Sequence, residues 1–472
     1  MEIDAINEWG PKLAAWASEY LTQLRQRPVR AQTEPGDIAR QIPDVPPDLP
    51  TGFEEIFQEF EDIVMPGMTH WQHPRFFAYF TANSSPPSLL AEWLTATLAA
   101  QCMLWQTSPA ATELETMMLQ WLRQMISLPD AFSGVIQDSA SSATLAALLH
   151  ARERALGFRG NTEGLAGLPA CRVYCSDQVH SSVDKACWVA GIGQQNLIKL
   201  PTTGESSALD TRALEQAIVR DREAGLVPAA IVACIGGTSV GACDDISAIM
   251  DVAERHNVYV HVDAAWAGSA MICPEFRGMM HGCERVDSFV FNPHKWLFTN
   301  FDCSAHFVRD PESFVKTLAI RPTYLATAGR DQITNYSEWS IPLGRRFRAL
   351  KLWFVIRSYG LTTLQQKVRD HVRWTEKIAR RLEAEPDFEL TSAPVLSLFS
   401  FRYAPAGEQD LDEINQQLLE RINDDGRIYL TQTQHKGRYV IRFQVGQTYT
   451  TESDVAFAFD VITSLARKTS KE

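Results

Sequence analysis

Residues Val286–Ser304 read VDSFVFNPHKWLFTNFDCS, an apolar run that stops on a polar turn carrying one lysine. The run Ser288–Phe291 is continuous rather than alternating, so both of its faces are expected to be buried. Strands of that kind belong to parallel sheets covered by helices, whereas a half-solvated antiparallel strand alternates. The texture recurs in RVYCS, AAIVACI, VYVHVDA and CSAHFV. Between and before these runs lie helical patterns over Ser88–Leu104, Thr112–Leu128, Ser141–Leu156, Thr211–Ala224 and Asp245–His256. The alternation predicts an α/β domain over residues 85–362 with a mostly parallel sheet.

The flanks differ. Residues 1–84 hold two helical patterns around QIPDVPPDLP (Gln41–Pro50), whose prolines fix an extended connector. This helical arm carries too little apolar surface to fold alone, so it is expected to lie across another domain or subunit. Residues 363–472 read as a smaller α+β domain, with PVLSLFSFRY, RIYLTQTQ and GRYVIRFQVG as strands. The arginines and lysine of LGRRFRALKLWF (Leu343–Phe354) read as a charged helix face.

Composition excludes several classes. A chain of 472 residues with 45% hydrophobic and 21% charged residues is globular, not disordered. A net charge of -13 argues against nucleic-acid or anionic-membrane binding, both of which need a basic face. No apolar run approaches the roughly 20 residues that cross a bilayer. The start, MEIDAINEWGPKLAAW, lacks the basic and apolar segments of a signal peptide, so a cytoplasmic location is expected. The nine cysteines show no C-x-x-C and read as reduced, buried thiols.

In sheets of this type ligands bind at the carboxyl ends of the strands. Collected there are Asp138–Ser142 at a helix start, Ser176–Ser182 with His180, Gly236–Ser239 with Thr238, Asp263–Ala265, and Asn292, His294 and Lys295. Each has a bland reading: Asp263 or His180 as a cap, Ser139–Ser142 as a helix start, Thr238 as a turn, Lys295 as a snorkelling side chain. Their coincidence asks for a chemistry. An amine in apolar surroundings has a depressed pKa and forms Schiff bases. Pyridoxal phosphate needs such a lysine, a carboxylate for its ring nitrogen, a phosphate cradle and a cover for its ring. Lys295, Asp263, the helix-start amides of Ala140 and Ser141, and a stacking His180 would supply them, with Ala265 small enough to let the ring lie flat.

SDQVHSSVDKA (Ser176–Ala186), HVDAAWAGSAMICPEFR, FNPHKWLFTNFDCS and IPLGRRFRALKLWF resemble the group II pyridoxal-dependent amino-acid decarboxylases, in their aromatic-L-amino-acid branch. HPRFFAYF (His73–Phe80) and TSPAATELE (Thr107–Glu115) match as well, so the likeness runs along nearly the whole chain. It implies a fold-type I enzyme with a seven-stranded sheet, pyridoxal 5'-phosphate as cofactor, and a homodimer with the site at the subunit interface. Lys295 would carry the cofactor and Asp263 would pair with its ring nitrogen. Ala140, Ser141 and Asn292 would meet the phosphate, with Thr238, Ala265 and His294 close by. His180 would stack on the ring and approach the substrate carboxylate. Tyr324, in RPTYLATAGRDQ, would return a proton from a mobile loop.

The resemblance also assigns Trp71, Phe80, Thr81, Ala82, Met103 and Gly344 to the substrate pocket. Thr81 and Ala82 depart from the Pro-Thr or Pro-Ser pair common in the family, leaving Thr81 or Asn83 to replace the usual hydroxyl contact. Trp266 stands where tyrosine is common. Gly344 matches the form with roomier pockets, so a bulky aromatic amino acid is the expected substrate. Relatives that form aldehydes replace the loop tyrosine or the stacking histidine; this chain keeps Tyr324 and His180, which favours decarboxylation to arylalkylamine and carbon dioxide. Two other readings remain: an aldehyde synthase on the same fold, and a metal hydrolase using His261, Asp263, His70 and His73. The expectation is that no metal is bound.

Overall fold

The computed structural model describes residues 3–320 and 333–469. Tyr324 and its loop therefore lie outside the described residues. The chain divides into two compact units, Asn83–Asp370 on the one hand and Met1–Ala82 with His371–Glu472 on the other.

The larger unit is built on seven strands: β1 Ser133–Gln137, β2 Cys171–Ser176, β3 Leu197–Leu200, β4 Val227–Cys234, β5 Tyr259–Asp263, β6 Ser288–Phe291 and β7 Ser304–Val308. Their order across the sheet is β1-β7-β6-β5-β4-β2-β3. From β6 to β3 every pairing is parallel, while β7 runs antiparallel to both β6 and β1. The mostly parallel sheet read from continuous apolar runs is thus the one found. β5 and β6 are buried at every residue, as strands covered on both faces must be. Each such Val, Ile or Phe contributes about 1.5–3 kcal/mol by burial.

The helix Ala140–Ala155 covers the sheet through small residues, with Ala147, Leu148 and Ala151 packed against Val173, Cys175, Ala230 and Val232. Side chains start the helices where the sequence places them: Asp210 Oδ1 accepts from the amides of Arg212 and Ala213, and Asp245 Oδ1 from Ala248. The helix after Ser85 is Pro86–Leu98, shorter than its apolar pattern, because Ala99 turns into the left-handed region at φ +47°.

The smaller unit holds an antiparallel sheet of β8 Phe388–Val395, β9 Leu398–Tyr403, β10 Thr431–His435 and β11 Arg438–Gln444, in the order β8-β9-β11-β10. Helices Leu411–Asp425 and Glu452–Thr469 bury Leu418, Ile422 and Ile462 against Phe399, Phe401 and Phe443. The N-terminal segment completes this unit: Phe77 stacks on Phe443 at 4.5 Å, and Arg25 and Arg75 both bind the buried Asp454. No described helix is long and apolar enough to cross a membrane.

The basic run after Leu343 differs from its reading as a charged helix face. The helical segment Arg348–Glu383 begins only at Arg348. Arg345 is buried against Glu115, Lys351 is buried 3.0 Å from Glu92, and Arg348 pairs with Asp302 at 2.9 Å. A spacing of three or four residues reports which groups share a helix face, not whether that face meets acids in the interior.

Candidate active site

The register of the sheet aligns the strand ends into one rim. Gln137 pairs with Ser304, Phe291 with Ala305, Asp263 with Val290, and Cys234 with Asp263. Asp138, Asn292, Ala264 and Ile235 therefore leave neighbouring strands side by side, about 4.8 Å per strand apart. Ala140 and Ala265 pack on Val290, so the helix start and the residue after Asp263 touch a common side chain. The Asn292 amide donates to Ala265 O at 2.8 Å, which ties the lysine turn to the same place.

Lys295 sits in a single helical turn, Pro293–Trp296, between β6 and β7. The turn is held from several sides. Cys303 N–H donates to His294 Nδ1 at 2.8 Å, and His294 N–H to Cys303 O at 3.2 Å. Burial, helped by the Lys295 ammonium, drops the His294 pKa to about 3, so the ring is neutral and carries its proton on Nε2. Ser304 Oγ donates to Asn292 Oδ1 at 2.6 Å. Trp296 stacks on Trp266 at 5.4 Å, closing the turn with two buried indoles.

Asp263 ends β5 and is buried, and its Oδ1 accepts from Ala265 N–H at 2.9 Å. This bond closes a local turn and is not the helix cap considered from sequence, because the next helical turn begins only at Ala267, with Trp266 at its N-cap position. His180 lies within electrostatic reach of both Asp263 and Lys295. Burial draws its pKa below the ordinary value; the Asp263 carboxylate opposes this, the Lys295 ammonium adds to it and Asp184 opposes it. The Ser182 amide donates to His180 Nδ1 at 3.1 Å, with Ser182 Oγ at 2.9 Å, so the neutral ring keeps its proton on Nε2.

Gly236, at φ +76°, lets the loop after β4 run close over Trp266: a Cβ there would lie 2.6 Å from Ala267 Cβ and 2.9 Å from Trp266 Cε3. At Gly237 a Cβ would meet Gln178 O at 3.1 Å, which sets the Thr238 loop beside the His180 loop. Thr238, His180 and Ser141 are exposed along this rim. At the helix start Ser139 Oγ accepts from Ser142 N–H at 3.2 Å. The amides of Ala140 and Ser141 precede the first intrahelical acceptors and point out of the helix end, as an anion requires.

The structure thus brings together Lys295, Asp263, His180, Ala140, Ala265, Asn292 and His294. An amine, a carboxylate, an imidazole face and a helix N-terminus form the donor and acceptor set that pyridoxal phosphate needs, so the residues fit this cofactor. The segments that carry Met103 and Gly344 run side by side: Cys102 N–H donates to Arg345 O at 3.0 Å, Gln101 Oε1 accepts from Arg345 N–H at 2.7 Å, and a Cβ on Gly344 would lie 3.2 Å from Gln101 Nε2, while Met103 O accepts from Ser337 N–H at 3.0 Å. Trp71, Phe80, Thr81 and Ala82 belong to the smaller unit. There Trp71 stacks on Tyr79 at 5.7 Å, Phe80 lies under Arg442 at 5.2 Å, Thr81 Oγ1 donates to Gln444 Oε1 at 3.3 Å, and Ala82 O accepts from Gln72 at 2.9 Å.

The histidines considered for a metal are otherwise engaged. His261 Nδ1 lies 2.7 Å from Ser288 Oγ and Nε2 3.2 Å from Thr144 Oγ1, inside the core. His70 Nδ1 meets Tyr20 OH at 2.8 Å, and His73 Nδ1 accepts from Arg75 N–H at 2.9 Å. Sequence reading missed Glu115 and Arg345, which clamp β1, and Ser182, Cys303 and Ser304, which orient site residues. Glu115 stood inside the TSPAATELE motif, the only local signal for it.

The pyridoxal-dependent decarboxylase conserved domain matches residues 35–404. An aromatic-L-amino-acid decarboxylase of Sus scrofa is 40% identical, over 97% of this chain and 95% of that protein. A phenylacetaldehyde synthase of Arabidopsis thaliana is 37% identical, over 98% of this chain and 96% of that protein. The crystal structure of Oryza sativa TDC with PLP and tryptamine superposes with a TM-score of 0.96 at 36% identity, covering 99% of each chain.

Proposed function

The chain belongs to the pyridoxal-dependent decarboxylase family, and from that premise we propose that it removes the α-carboxyl group of aromatic L-amino acids, releasing the arylalkylamine and carbon dioxide. The observation that carries the reading is the grouping of Lys295, Asp263 and His180 on one rim, at the carboxyl ends of β6, β5 and β2. Lys295 would hold the cofactor's aldehyde carbon and Asp263 its ring nitrogen. The Ala140 and Ser141 amides, with Asn292, would hold its phosphate, and Thr238, Ala265 and His294 would surround it. When bound, pyridoxal phosphate supplies an electron-accepting pyridine ring.

The protein groups do the rest. Asp263 would hold the ring nitrogen's proton through its carboxylate. His180 would donate from Nε2 to the substrate carboxylate and orient it for loss, in a site drier than bulk water. A carboxylate brought there loses hydration, which favours its departure as neutral carbon dioxide. Tyr324, outside the described residues, is the proposed donor of the returning proton. Trp71, Phe80, Thr81, Ala82, Met103 and Gly344 are proposed to line the aromatic pocket.

Similarity to a phenylacetaldehyde synthase keeps aldehyde formation as the second reading. Incubation with L-tryptophan, L-DOPA, L-tyrosine and L-phenylalanine, with amine, aldehyde and peroxide all measured, separates the two. Amine and carbon dioxide in equal amounts are expected from the pure yellow protein, with borohydride fixing the chromophore on Lys295. A colourless protein, or Lys295→Ala turning over as fast as the parent, overturns the assignment.

We also infer a homodimer. The helix Pro86–Leu98 leaves Leu89, Leu90, Trp93, Leu94 and Leu98 exposed, an apolar stripe that a second copy would cover.

A further inference from the structure

We propose that Asn83 is a positioning residue for Lys295, fixing the peptide planes on both sides of the reactive lysine. A helical turn as short as Pro293–Trp296 cannot satisfy its own last carbonyls, because no residue four positions on continues the helix. Pro293 O is taken up by Leu297 N–H at 3.1 Å and Thr299 N–H at 3.4 Å. Asn83 meets the next two carbonyls at once. Its main-chain N–H donates to His294 O at 3.1 Å, and its side-chain Nδ2 donates to Lys295 O. Asn83 is 1% exposed, so water does not stand in for either donor.

The consequence is geometric. The Cα–Cβ vector of Lys295 is set by the rotation of the peptide units before and after it, and these are the two units Asn83 holds. The opposite side of the same turn is held by Cys303 through His294. Lys295 is thus gripped on its main chain from two separate segments, and neither grip uses its amine. Through Nδ2, Asn83 acts on the main chain of the lysine, a role distinct from the substitute hydroxyl contact considered from sequence.

This inference rests on Lys295 being the cofactor-bearing residue. It is tested with holoenzyme of Asn83→Ala, reading kcat and KM separately, the visible absorption band and its pH titration, cofactor dissociation and the thermal midpoint. A misplaced reacting group costs on the order of 10- to 100-fold. The drop is expected in kcat with KM little changed, together with a shifted absorption band and faster cofactor loss. Asn83→Asp adds a second readout independent of packing. Its carboxylate has no proton for Lys295 O, whereas the protonated acid donates again, so kcat and the absorption band should recover toward wild type as pH falls. Wild-type kcat and absorption in Asn83→Ala, or a pH-independent defect in Asn83→Asp, overturns the proposal. Should wild-type protein fail to label at Lys295, it is the lysine assignment that falls instead; labelled wild type with a silent Asn83 removes this inference alone.

Discussion

Replacing Glu115 by alanine tests how the phosphate-side end of the sheet is held. β1 is an edge strand with β7 on one side only. On its free side Ile136 N–H donates to Glu115 Oε1 at 2.8 Å and Ile136 O accepts from Arg345 Nη2 at 2.8 Å. The two side chains are joined by bonds of 2.6 and 3.0 Å, so a buried ion pair stands in for the missing neighbouring strand. Glu115→Ala would leave Arg345, 4% exposed, without its counter-charge, a loss of about 3–5 kcal/mol. The orphaned Ile136 amide costs about 1–3 kcal/mol, partly overlapping with the first loss. A total of about 4–6 kcal/mol is a large part of a typical stability of about 5–15 kcal/mol. Urea transitions of holoenzyme at saturating cofactor measure it, and a cycle with Arg345→Ala isolates the coupling. Because Ile136 lies two residues before Asp138, cofactor affinity should weaken alongside. A Glu115→Ala loss below about 1 kcal/mol, or a coupling below about 0.5 kcal/mol, would refute the strand-substitute argument.

Two further outcomes are expected. Burial lowers the pKa of His150 and His261 to about 4 and that of His294 to about 3. The unfolded chain therefore takes up these protons first as pH falls, so stability is full above about pH 6.5 and is lost toward pH 4. Each group contributes up to about 1.4 kcal/mol per pH unit, and three give a slope of about 4 kcal/mol per unit. His150→Gln should lower the slope by one group's share in urea melts at pH 6.5 and 5; an unchanged slope counts against the buried neutral histidine. For the subunit contact, sedimentation should give twice the chain mass, and Trp93→Glu or Leu90→Glu should shift it toward monomer. A wild-type monomer at micromolar concentration removes the inferred dimer.

The central strands were legible because their signal is local. β4, β5 and β6 are continuous apolar runs, and a strand buried on both faces has no other way to be written. β3 escaped, since LIKL is four residues long and is interrupted by the exposed Lys199. The candidate site was legible for a related reason: Asp263 closes a strand, and His180 and Lys295 stand four residues beyond one, where polar residues interrupt an apolar texture. Their holders were not. Glu115 to Ile136, Asn83 to Lys295 and Cys303 to His294 are bonds in which one partner is main chain, and main chain leaves no mark on residue type. The same limit explains Arg345, whose partner lies more than two hundred positions away.

The direction of β7 accounts for the site's location. A parallel successor to β6 would need a crossover, carrying the chain back to the amino ends of the strands before it could pair. A short antiparallel return instead keeps Asn292 through Cys303 at the carboxyl rim, where β4 and β5 also end. β1, pairing antiparallel with β7, must then point the same way as β6 and delivers Gln137 and Asp138 to that rim. The reversal of one strand thus places the lysine turn and the helix start at Ala140 at the same end of the sheet. It also leaves β1 exposed as an edge, which is why a buried Glu–Arg pair is needed there.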